Sequence, residues 1–166
     1  YEQIEKKKED GRSIYTFGPI IHNEEVVRNL QERGVKVISS LADAEAISEA
    51  ERGTVIIRSH GVERRVCESL KDLGFEVVDA TCPFVKRIHT TVEKESEAGK
   101  SIVIVGNAGH PEVEGIRGWS CRSVYIIESV EEAEEFACKE GEKLCIVSQT
   151  TFNYKKFQDV VEILNK

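Results

Sequence analysis

The 166 residues allow one domain or two small ones, and 40% hydrophobic with 32% charged residues is an ordinary globular composition with enough apolar side chains for a core. The 23 basic and 30 acidic residues leave a net charge of −7, which argues against a broad nucleic-acid surface but leaves room for a local anion site. No stretch reads as a membrane span or a signal peptide, and the five cysteines (Cys67, Cys82, Cys121, Cys138, Cys145) form neither a CxxC pair nor a disulfide-scaffold spacing, so a reducing, cytoplasmic setting without membrane or nucleic-acid partners is expected.

The chain starts at Tyr1 and has no methionine, and a helical pattern runs almost to Lys166, so a piece of a longer protein is expected. Residues 1–10 read as the tail of a helix stopped by Gly11. Ser13–Phe17 reads as a strand, Asn23 as a helix N-cap, and Glu24–Arg33 as an amphipathic helix with Val26, Val27 and Leu30 on one face. Val35–Ile38 is a predicted strand and Ala42–Ala50 a short helix. Then follow strand Thr54–Ile57, helix Glu63–Leu73, strand Phe75–Val78 and helix Phe84–Ala98. The rest reads as strand Ser101–Val105, helix Glu112–Gly118, strand Ser123–Ile127, helix Val130–Ala137, strand Lys143–Val147 and helix Asn153–Leu164.

Strands alternating with helices predict the α/β class: two small domains with mainly parallel sheets of about four strands each, linked by right-handed crossovers. The boundary is expected near Cys82–Ile88, with domain one over 1–84 and domain two over 85–166. Val77-Val78-Asp79-Ala80-Thr81-Cys82-Pro83 is the organising stretch. Val77 and Val78 suit a buried strand, Pro83 suits the first turn of a helix, and Cys82 falls at the carboxyl end of a strand, where open α/β sheets bind ligands. A small buried cysteine is the plainer reading of Cys82 taken alone.

His22, His60 and His110 each follow an apolar run and fall in strand-to-helix turns. Gln149, Thr150 and Thr151 occupy the same place in the last unit, and Cys82 occupies it in the middle. His89, inside a predicted helix, reads as structural. Imidazole, amide and hydroxyl donors beside helix N-termini form an inventory for phosphate or diphosphate. Neither a P-loop nor a G-x-G-x-x-G pattern occurs, so neither standard mode of nucleotide binding is expected. Glu112, after His110-Pro111, is either a residue favoured by the helix dipole or a proton donor, since like-charge repulsion from a bound diphosphate would favour its protonated form. Thr150 is placed to hydrogen-bond both Glu112 and a substrate hydroxyl. Cys82 with the histidines leaves a zinc site open, and so a zinc-dependent hydrolase with Glu112 as general base; a non-catalytic module binding a phosphometabolite also stays open. Cys67 and Cys138 are expected in helices, Cys145 in a strand and Cys121 in a loop, none ligating a metal.

Taken in order, Gly18-Pro19-Ile20-Ile21-His22-Asn23, Ser59-His60-Gly61, Asp79-Ala80-Thr81-Cys82-Pro83, Gly109-His110-Pro111-Glu112-Val113-Glu114-Gly115 and Ser148-Gln149-Thr150-Thr151 resemble the LytB family of 4-hydroxy-3-methylbut-2-enyl diphosphate reductases, enzymes of isoprenoid biosynthesis. The resemblance implies a pseudo-symmetric architecture of three small α/β domains around a central 4Fe-4S iron–sulfur cluster, the third domain being absent from this chain. It implies that Cys82 is one of three thiolate ligands. It implies that His22, His60 and His110 hold the substrate diphosphate, with Gln149, Thr150 and Thr151 nearby, and that Glu112 delivers protons to the allylic hydroxyl with help from Thr150. An electron donor such as ferredoxin or flavodoxin is implied as partner. The family's other cluster cysteines lie in a Gly-Phe-Cys and a Cys-x-Ala-Thr motif, and neither motif occurs here. The chain by itself is therefore expected to hold no stable cluster and to be inactive.

Overall fold

The computed structural model describes residues 12–18 and 24–165, without the side chains of Glu24, Val26 and Val27. The predicted N-terminal helix tail, Asn23 and His22 lie outside the described residues. The chain is α/β and divides into two compact units between Cys82 and Pro83.

The first unit runs β1 (Ile14–Phe17), α1 (Glu24–Glu32), β2 (Lys36–Ile38), α2 (Leu41–Glu45), a 3-10 turn (Glu49–Glu51), β3 (Thr54–Ile57), α3 (Arg64–Asp72) and β4 (Glu76–Asp79). Its four strands form a parallel sheet in the order β2-β1-β3-β4. Side chains alternate across it as a period of two requires. Tyr15, Val55 and Ile57 join one core with Ile38, Val66 and Leu70. Ile14 and Ile56 join the other, with Leu30 and Val35. The register sets Phe17 beside Ile57 and Ile57 beside Asp79, so the turns after β1, β3 and β4 all open at one carboxyl edge.

The second unit runs α4 (Pro83–Glu97), β5 (Ser101–Val105), α5 (Pro111–Arg117), β6 (Val124–Ile127), α6 (Val130–Glu135), β7 (Leu144–Ser148) and α7 (Tyr154–Leu164). Its parallel sheet has the order β6-β5-β7. Every residue of the central strand β5 is buried, as a strand covered on both faces demands. Ile102 and Ile104 pack with Val92 of α4 and Val113 and Ile116 of α5, while Val103 and Val105 pack with Ala133 of α6 and Val160 of α7. Val105 lies beside Ile127 and Ser148, so the turns after β5 and β7 share an edge.

Four expectations are corrected. The second sheet has three strands, not about four. The helix expected over Ala42–Ala50 is two pieces. Ser40 and Asp43 form a capping box that starts α2 at Leu41, and Ser48 opens a separate 3-10 turn with its hydroxyl 2.7 Å from the Glu51 carboxylate. Val77 and Val78 are only half-buried, because β4 is an edge strand. Cys138 lies past the end of α6, which stops at Glu135, and is exposed.

Candidate functional site

In the second unit the turns after β5 and β7 meet at one carboxylate. Glu112, in the first turn of α5, is 1% exposed. The backbone N–H of Thr150 donates to its Oε1 at 2.6 Å, and the Thr150 hydroxyl donates to Oε2 at 2.9 Å. These two donors offset the cost of burying the group. Thr150 itself is exposed, so its hydroxyl joins the buried acid to the outside. His110 caps the same helix, its Nδ1 accepting the Glu112 N–H at 3.1 Å. With Nδ1 an acceptor, the proton of the neutral ring sits on Nε2.

Gln149 is buried beneath these groups. Its Oε1 accepts from the Asn107 N–H at 3.1 Å and its Nε2 donates to the Thr151 hydroxyl at 2.8 Å, so the amide ties the β5–α5 turn to the β7–α7 turn. One Nε2 hydrogen remains for another acceptor. The tie depends on Gly106, where a Cβ would come within 2.8 Å of the Gln149 Cβ and 3.0 Å of Val113 Cγ2. The carboxylate of Glu128, just past β6, accepts from the Ala108 N–H and fixes the turn from its other side.

In the first unit the chain after β4 continues alongside the end of β3. Ala80 N–H donates to Ile57 O at 3.2 Å, and Cys82 N–H donates to Ser59 O at 2.9 Å. Asp79 Oδ1 accepts the Thr81 N–H at 3.0 Å, an Asx turn that sets the bend into Cys82. The half-buried Cys82 is therefore bonded through its backbone to the residue preceding His60. Arg58, which the motif reading left without a role, belongs to the same turn. Burial pushes its guanidinium pKa down, and its Nε is buried without a hydrogen-bond partner. Gly106 was likewise missed. Its only signal in the sequence is a glycine directly after the apolar run Ile102–Val105. His89, expected to be structural, is buried in α4 and stacks on Trp119 with ring centroids 5.0 Å apart.

Among the described residues no group of three or more His, Cys, Asp or Glu side chains is placed to hold a metal ion. Cys82 is a free thiol of the kind an iron–sulfur cluster takes, but such clusters are usually held by four cysteines, and no ligand group of three or more includes it among the described residues. The described residues do not by themselves fit the group. No helix among them is long and apolar enough to cross a membrane.

The chain is similar to known proteins along nearly its whole length. Over 164 residues it is 44% identical to the 4-hydroxy-3-methylbut-2-enyl diphosphate reductase of Caldanaerobacter subterraneus subsp. tengcongensis, covering 99% of this chain and 54% of that protein. With the enzyme of the same name from Geotalea uraniireducens it shares 42% identity over 152 residues, covering 92% of this chain and 51% of the relative. The chain thus spans about half the length of the curated relatives it matches. Among solved structures, the E-1-hydroxy-2-methyl-but-2-enyl-4-diphosphate reductase of Plasmodium falciparum superposes with a TM-score of 0.86 at 27% identity, covering 99% of this chain and 50% of that one. A structure of (E)-4-hydroxy-3-methyl-but-2-enyl diphosphate reductase, described as the terminal enzyme of the non-mevalonate pathway, gives 0.76 at 35% identity, covering 99% and 56%. A model of the family described as LytB protein matches residues 1–166, and the chain belongs to that family.

Proposed function

We propose that the protein is a 4-hydroxy-3-methylbut-2-enyl diphosphate reductase: two electrons and two protons enter, the allylic C–O bond breaks, and water and isopentenyl or dimethylallyl diphosphate leave. The observation that carries this reading is the buried Glu112 carboxyl tied to the exposed Thr150 hydroxyl. An anionic substrate nearby favours the protonated acid. Protonated Glu112 then donates to Thr150 Oγ1, and the Thr150 hydroxyl passes its own proton to the substrate hydroxyl, which departs as water. A second proton goes to the allylic carbon. His110, with Nε2–H, joins His22 and His60 on the diphosphate, and Gln149 and Thr151 complete the polar lining. Cys82 would supply one thiolate to an iron–sulfur cluster whose other ligands lie outside the described residues, and the cluster's chemistry would be single-electron delivery. Ferredoxin or flavodoxin serves as electron donor in a cytoplasmic setting. The two units, divided between Cys82 and Pro83 rather than after residue 84, act as two of three similar domains.

The test uses the full-length gene product purified without oxygen, as wild type and as Cys82→Ser, with iron, acid-labile sulfide and substrate-dependent oxidation of a reduced viologen measured. Wild type is expected to carry sulfide and turn over, and the variant to lose both. A wild type with zinc and no sulfide, or a fully active variant, ends the reductase reading.

A further inference from the structure

Arg58 directly follows β3 and lies over Gly18, the residue directly after β1. A Cβ on Gly18 would stand 2.6 Å from a terminal guanidinium nitrogen of Arg58 and 3.3 Å from its Cζ, so the guanidinium fills the space a side chain would take. Gly18 has φ +71°, a conformation open to glycine, and its N–H donates to Ile38 O at 2.7 Å. Arg58 Nε is buried with no hydrogen-bond partner, and no carboxylate among the described residues pairs with the guanidinium. In a chain with 30 acidic residues, a part-buried cation without a counter-ion carries a desolvation cost that nothing described offsets. An anion arriving at this edge would offset it.

We propose that Arg58 is a further anion-binding residue of the first unit, its guanidinium supplying positive charge for the substrate diphosphate at the carboxyl edge beside Ser59 and His60. This rests on the reading that the protein binds an allylic diphosphate. Histidines give that ligand hydrogen bonds but, when neutral, no formal charge, whereas a guanidinium gives both and matches phosphate oxygens with parallel donors.

The experiment uses the anaerobically purified full-length protein as wild type, Arg58→Lys, Arg58→Met and Arg58→Gln. Binding of inorganic diphosphate is titrated by calorimetry at low and high salt, viologen-coupled KM and kcat are measured, and circular dichroism reports folding. The Met and Gln variants are expected to bind diphosphate about tenfold or more weakly, with KM moved more than kcat. They should also lose part of the salt dependence. Arg58→Lys keeps affinity within about threefold, because it keeps the charge. Wild-type affinity in both neutral variants overturns the proposal. So does a loss in Arg58→Lys as large as in Arg58→Met, which would make the side chain a filler over Gly18, and so does failure of both neutral variants to fold. A wild type that binds diphosphate but neither carries sulfide nor turns over ends the reductase reading while the titrations still judge Arg58.

Discussion

The two sheets end differently at their carboxyl edges. In the second unit the polar side chains are spent on one another: Thr150 on Glu112, Gln149 on Asn107 and Thr151, His110 on the backbone of Glu112. In the first unit the described bonds at the edge run mostly through the backbone, from Gly61 to Arg58, Ala80 to Ile57 and Cys82 to Ser59, with Asp79 accepting the Thr81 N–H, while Arg58 Nε keeps an unmade bond. On the proposed function, the difference is a division of labour. Groups that move a proton must already be in place, because a proton donor works only at hydrogen-bond reach. Groups that meet a charged ligand can carry a desolvation cost until the ligand comes.

The largest test of that contrast is Glu112→Gln in the full-length protein. The amide has nearly the same shape, and its oxygen can still accept the Thr150 N–H, so the fold stays. What goes is the transferable proton. The viologen-coupled kcat is expected to fall by about 10²–10⁴-fold with an unchanged melting temperature. A variant within a few-fold of wild type would remove Glu112 from the proton path.

Why Glu112 and Thr150 were legible as a pair is physical. They are 38 residues apart, yet each follows a strand of one parallel sheet, and strand order brings their turns together. The strands themselves were legible because β1, β3 and β5 are short apolar runs ended by turn residues. What was illegible depended on neighbours that sequence does not display. The half-exposure of Val77 and Val78 follows from β4 lying at a sheet edge. Arg58 gains its meaning only from standing over Gly18, which is 40 positions earlier. The break after α2 turns on two local serine contacts, the Ser40 capping box and the Ser48–Glu51 side-chain bond, whose competition with a continuous helix is decided by small energies.

A smaller effect sharpens the contrast from within the second unit. At Gly106 an added methyl meets the Gln149 Cβ at 2.8 Å and Val113 Cγ2 at 3.0 Å, and both are buried. Gly106→Ala is expected to cost about 1–3 kcal/mol of unfolding free energy by overpacking, read as a lower urea midpoint. The comparison variant is Gly109→Ala in the same turn, where no atom lies within 4 Å of the added Cβ. Equal midpoints for the two variants would show that Gln149 does not clamp the turn.

The smallest effect lies at the opposite edge of the same sheet, in a polar cluster at the amino ends of its strands. Glu142 accepts from the Ser101 hydroxyl and from the Lys139 N–H, and the Tyr125 hydroxyl also donates to it. The Ser101 bond, then the Lys139 N–H, hold its carboxyl below the ordinary value of 4.5. A carboxyl whose folded pKa is depressed stabilises the fold fully above its unfolded pKa, and that contribution disappears as pH falls through the folded value. Stability from this group should therefore be constant near neutrality and decline on acidification below about 4.5. Melting curves of wild type and Glu142→Gln should differ near neutral pH and converge as pH drops, with the wild type showing the steeper slope. The slope does not vanish in the variant, because Glu95 and Glu131 also have depressed values. Turnover should be untouched, since Glu142 stands at the amino edge and Glu112 at the carboxyl edge. Parallel curves at every pH would mean that solvent screens the Glu142 cluster, and that among the carboxylates of this sheet only the buried one is under structural constraint.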